Sequence, residues 1–132
     1  MPPPRPASIE ACREVIKHHL APARPILIYA FGSFGTTRQH PASDIDLAIL
    51  TELPLDPMRC FELAGGLSEH LGHPVDLIDL QRSSTVMAKE VIRTGTLIEG
   101  EAHPVRDLFE MRTLSDYARL NEERQAVLAQ SS

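Results

Sequence analysis

The 132-residue sequence has only two cysteines, Cys12 and Cys60. Both fall in stretches with amphipathic helical spacing, and neither stands at metal-ligand spacing from a partner. Buried free thiols in a reducing compartment are expected, not a disulfide frame or a zinc site. No apolar run approaches the length that spans a bilayer, and MPPPRPAS lacks the apolar core of a secretion signal. A cytoplasmic protein with no membrane partner is therefore expected. The chain also lacks a basic excess: its formal net charge is -5. Direct nucleic-acid binding, which calls for a basic face, is not expected. A nucleotide ligand stays open, because a magnesium ion can sit between acidic side chains and phosphates. Neither an internal repeat nor an interdomain linker is visible. The length suits one domain over residues 8–132, after a loose proline-rich tail over residues 1–7.

What is present reads as alternating elements. Ser8 is placed to cap a helix whose apolar stripe is Ile9, Cys12, Val15, Ile16 and Leu20. Pro25 to Phe31 is a short, continuously apolar run rich in branched and aromatic residues, which suits a strand buried on both faces. Gly32 breaks it, and a polar loop carries the chain to a second strand over Asp44–Leu50. Asp56 as cap and Pro57 at the first helical position begin a helix with a stripe of Met58, Phe61, Ala64, Leu67 and Leu71. Gly72 and Pro74 stop it. Val75–Leu80 reads as a third strand, Thr85–Arg93 as a helix, and Thr96–Ile98 as a short edge strand. His103 to about Ala129 reads as a long C-terminal helix. The order predicts an α/β (α+β) domain with a small mixed sheet. Its first two strands are joined by a loop too short for a crossover helix, so they are expected to be antiparallel neighbours.

The chemistry concentrates in AFGSFGTTRQHPASDIDLAIL, from Ala30 to Leu50. Gly32, directly after a buried strand, lets the backbone approach a ligand without a Cβ, and Ser33 offers an amide and a hydroxyl to phosphate. No Gly-Lys-Ser/Thr follows, so this is not the P-loop pattern. Asp44 and Asp46 are two apart on a strand, so both project from one face, about 6.6 Å apart along it. Carboxylates that close favour a divalent cation between them, Mg2+ above all. Asp76 stands in an otherwise apolar strand, where a lone buried carboxylate would be costly unless paired or metal-bound. Asp79 points to the opposite face and suits a structural role, capping the following turn. Arg38 and His40 in the loop, and Lys89 on a later helix, are further groups able to face phosphate. None of the six histidines has a metal-like arrangement, and solvated roles are expected for them.

Gly32-Ser33, ten residues, Asp44-x-Asp46 and then Asp76 in VDLIDL resembles the minimal nucleotidyltransferases of the DNA polymerase β-like superfamily. The short frame and the tail VIRTGTLIEGEAHPVRDLFEMRTLSDYARL resemble their antitoxin branch, encoded beside HEPN-domain toxins. The resemblance implies a nucleotidyltransferase fold in which Gly32 and Ser33 hold the triphosphate of ATP, with Arg38 of the loop as the nucleotide-binding cation able to stand in for the arginine of the family pattern. It implies that Asp44, Asp46 and Asp76 bind Mg2+ and carry catalysis. It further implies transfer of AMP to a tyrosine hydroxyl of a cognate HEPN RNase toxin, held in a stable hetero-oligomer. Two alternatives are an antitoxin that neutralises by binding alone and a transferase acting on a small molecule. The chain departs from the family pattern at Thr36-Thr37, where many relatives carry Arg-Gly.

Overall fold

The computed structural model describes residues 9–32 and 45–131. The proline-rich tail, the Ser8 cap, and Ser33, Thr36, Thr37, Arg38, His40 and Asp44 lie outside the described residues. Helix α1 (Ile9–Leu20) passes through a single 3₁₀ turn into strand β1 (Leu27–Phe31). Strand β2 (Ile45–Leu50), helix α2 (Pro57–Leu71), strand β3 (Val75–Asp79) and helix α3 (Thr85–Thr94) follow. Strand β4 (Thr96–Glu99) and helix α4 (Pro104–Ser131) complete the order. This succession of elements is the one that the hydrophobic pattern and the Gly/Pro punctuation predict.

Local chemistry sets the boundaries. The Asp56 carboxylate accepts from the Met58 amide at 2.8 Å and Pro57 supplies the first helical φ of α2, so the helix begins there. Gly72 ends it in the left-handed region at φ 73, its amide donating to the Ser68 carbonyl. The Ser84 hydroxyl caps α3 by accepting from the Met87 amide at 3.1 Å.

The sheet runs in the order β3-β2-β1-β4. β1 is antiparallel to both β2 and β4, and β2 is parallel to β3. The two central strands are buried on both faces, apart from a half-buried Asp46. On one face Ile28, Ala30, Ile45, Leu47 and Ile49 pack against Cys12, Ile16 and Leu20 of α1 and Leu67 of α2. On the other, Leu27, Tyr29, Phe31, Ala48 and Leu50 pack against Ala88 and Val91 of α3, with Val105 and Phe109 of α4 beside them. The Tyr29 hydroxyl donates to Glu110 at 3.1 Å, tying α4 to the sheet, and burial pushes that phenol far above its ordinary range.

Three expectations require correction. The inward stripe of α2 is Leu63, Leu67 and Leu71, while Met58 and Phe61 are 63% and 75% exposed. Asp76 is exposed at the sheet edge, so burial does not force it to have a partner. His19 is half-buried, with its ring centroid 4.8 Å from that of His70, in place of a solvated position. Both cysteines are free thiols, as expected, Cys12 buried and Cys60 partly so. Among the described residues no helix is long and apolar enough to cross a membrane.

Candidate active site

The pairing of β2 with β3 sets Asp46 beside Asp76, with Leu47 beside Leu77 on the opposite face. Directly paired residues of adjacent strands, about 4.8 Å apart, share a face. The two carboxylates therefore stand side by side, at the start of β2 and near the start of β3. β1 arrives from the other direction, and its last residue, Phe31, pairs with Asp46. The chain turns immediately afterwards at Gly32, so the turn lies over the same end of the sheet.

Gly32 adopts φ +74, and a Cβ built there would lie 2.7 Å from Asp46 Oδ2. The dihedral disfavours any side chain at this position, and a Cβ would push the Asp46 carboxylate aside. The Gly32 amide meets the Thr94 hydroxyl at 3.4 Å, and that hydroxyl donates to the Glu90 carbonyl at 2.8 Å. The C-terminal turn of α3 thereby anchors the start of the Gly-Ser turn. Thr94 is a positioning residue that sequence reasoning missed. Its only sequence signal is its place just before Gly95.

Asp79 faces away from this cluster. One of its carboxylate oxygens accepts from the Leu55 amide at 2.9 Å and the other from the Gln81 amide at 2.9 Å. Arg82 lies 3.7 Å from it. The residue ties the segment leading into α2 to the turn after β3, the structural role that parity along the strand predicts. Lys89 stands over the Tyr117 ring, 4.7 Å from its centroid, which fixes α3 against α4.

The site residues named from the sequence thus divide. Gly32, Asp46 and Asp76 converge, whereas Ser33, Arg38 and Asp44 lie outside the described residues. Among the described residues no group of three or more side chains is arranged to hold a metal ion. The donor chemistry at Asp46 and Asp76 nonetheless fits a hard cation. Two adjacent carboxylates, one of them exposed, supply oxygen donors without nitrogen or sulfur, the set that suits Mg2+.

Comparison with known proteins gives a consistent answer. The family model described as "Polymerase beta, Nucleotidyltransferase" matches residues 10–103. The chain is 41% identical over 102 residues to protein adenylyltransferase MntA of Shewanella oneidensis, covering 77% of this chain and 73% of that protein. A toxin-antitoxin crystal structure with AMP-PNP superposes with a TM-score of 0.81 at 38% identity, covering 89% of this chain and 96% of that one. A tri-AMPylated Shewanella oneidensis HEPN toxin in complex with MNT antitoxin offers a chain with a TM-score of 0.77 at 35% identity. There the coverage is 92% of this chain and 96% of the other. With its sheet order, its paired acids and its glycine turn, the chain belongs to the polymerase β-type nucleotidyltransferase family.

Proposed function

We propose that this protein is an antitoxin that transfers AMP from ATP to a tyrosine hydroxyl of a cognate HEPN toxin, neutralising it. The observation that carries the reading is the register placing Asp46 beside Asp76, with Gly32 packed against Asp46. The relatives' names point the same way, one being a protein adenylyltransferase and another an MNT antitoxin with an AMPylated toxin.

In this reading the turn at Gly32 and Ser33 holds the β- and γ-phosphates through backbone amides, and Arg38 balances their charge. Asp44, Asp46 and Asp76 would hold Mg2+, which when bound neutralises phosphate charge at the reacting centre. Asp76, at the exposed edge, orients the acceptor hydroxyl and takes its proton. The hydroxyl oxygen forms a bond to the α-phosphorus, the bond to the β-phosphate oxygen breaks, and pyrophosphate leaves toward Gly32. Two free thiols support a reducing, cytoplasmic setting.

The test is incubation of the purified chain with its HEPN toxin, magnesium and α-labelled ATP. Label on a toxin tyrosine is expected, and none from the Asp44→Asn/Asp46→Asn variant. An unlabelled toxin sinks the proposal. A binding-only antitoxin is the second reading, favoured by Thr36-Thr37 where many relatives carry Arg-Gly. It predicts that the same double variant still neutralises the toxin fully.

A further inference from the structure

We infer that the acceptor segment of the partner protein docks as an extended strand along the free edge of β3, in the groove between β3 and α2. The inference rests on the transferase reading above. It adds where the partner chain lies and which residues of this protein hold it.

The first argument is directional. In an in-line displacement the attacking oxygen and the departing pyrophosphate lie on opposite sides of the phosphorus. The strand order β3-β2-β1 sets Asp46 in the middle, with the Gly32 turn on the β1 side and Asp76 on the β3 side. Pyrophosphate leaves over Gly32, so the acceptor enters over β3. There β3 is the sheet's edge, with no strand beyond it among the described residues.

The second argument is the register of the edge. The Ile45 amide donates to the Pro74 carbonyl and the Leu80 amide to the Ile49 carbonyl, both at 2.9 Å. In a parallel ladder this pattern turns the backbone groups of Asp76 and Ile78 toward β2 and those of Val75, Leu77 and Asp79 outward. The Cys60 thiol, 3.3 Å from the Leu77 carbonyl, reaches that group from α2 and confirms its outward direction. The Asp79 carbonyl already accepts from the Arg82 and Ser83 amides, so a strand added here bonds through the outward groups of Val75 and Leu77, as in β-augmentation. The residue paired beside Asp76 then projects onto the face that carries Asp46 and Asp76. Its two neighbours project to the other face, toward α2.

The third argument is the shape on that other face. A groove of about 610 Å³ runs between β3 and α2, lined by Phe61, Ala64, Gly65 and Ser68 on the helix and by Leu77 on the strand. Phe61 is 75% exposed, and a Cβ at Gly65 would meet nothing within 4 Å. A helix stripe with one large apolar residue and three small residues, facing a strand edge, fits the alternate side chains of an extended peptide. An acceptor tyrosine beside Asp76 is thus held by its two flanking residues in the groove, without contact to the nucleotide.

The test uses the full chain, its HEPN toxin and labelled ATP, with two variants. Gly65→Trp fills the groove from a position where a Cβ meets nothing within 4 Å, while Phe61→Ala removes the exposed anchor. Each should raise the toxin KM by about tenfold, the scale of losing an aromatic anchor at an interface. ATP affinity and thermal midpoint should stay at wild-type values. A photo-crosslinking phenylalanine analogue at position 61 should form an adduct within a few residues of the labelled tyrosine. Unchanged toxin KM in both variants, or adducts only at remote positions, overturns the groove and leaves the transferase reading standing. Failure of the wild-type chain to label the toxin overturns the transferase reading itself.

Discussion

Asp76 and Asp79 lie three residues apart on one short strand, and their surroundings are opposite. Asp79 is buried and accepts two backbone amides. Asp79→Asn replaces one charged acceptor oxygen with a donor facing an amide, and is expected to cost about 1–3 kcal/mol. Asp76 is exposed, so in divalent-free buffer Asp76→Asn should change stability by no more than about 0.5 kcal/mol, while abolishing transfer when magnesium is supplied. Chemical denaturation of both variants, alongside labelling assays, checks the contrast. Equal destabilisation by the two would refute it. Gly32 offers a second residue-scale test. Gly32→Ala puts a Cβ 2.7 Å from Asp46 Oδ2 at a backbone angle that disfavours it. The carboxylate must shift, and a displacement of about 1 Å at a reacting group costs on the order of 100-fold in rate. A Gly32→Ala enzyme within a few-fold of wild type would show that Asp46 is not held by this turn.

At the scale of elements, the punctuation was legible and the faces were less so. Asp56-Pro57 and Gly72-x-Pro74 mark the ends of α2 because capping and proline geometry act within a few residues. The buried faces of β1 and β2 followed from unbroken apolar runs. The face of α2 was misread because its apolar residues at three- and four-residue spacing fit two neighbouring stripes. Only the sheet beneath selects Leu63, Leu67 and Leu71 and leaves Phe61 to the groove. The His19–His70 contact was invisible for a related reason, since it joins two helices 51 positions apart by subtraction of the residue numbers. That contact makes a pH prediction. Burial, then the neighbouring charges of His70 and His18, lower the folded-state pKa of His19. A base with a lowered folded pKa contributes its full stability above its unfolded value, about 6.5, and loses it as pH falls from there through the lower folded value. Thermal midpoints should therefore decline on acidification below about pH 6.5, and His19→Gln should flatten that decline. An identical pH slope in the variant would place its origin elsewhere.

At the scale of the whole molecule, the sheet brings two like charges together. Alternation along a strand showed that Asp76 and Asp79 take different faces. The register between β2 and β3 could not be read, because it depends on contacts between segments distant in sequence and not on local preference. That register puts Asp46 beside Asp76, and like charges directly opposite destabilise a sheet pair by about 0.2–1 kcal/mol. In a divalent-free buffer Asp76→Asn should thus be slightly the more stable protein, by roughly 0.5 kcal/mol. A cation held between the two acids reverses the order. At a free concentration 100 times its dissociation constant, a ligand that binds only the folded state adds about 2.7 kcal/mol. Magnesium should therefore raise the wild-type thermal midpoint well above that of Asp76→Asn, and chelation should restore the opposite ranking. Midpoints of both proteins across a magnesium titration provide the measurement. Parallel shifts in the two proteins would mean that the cation binds away from these carboxylates.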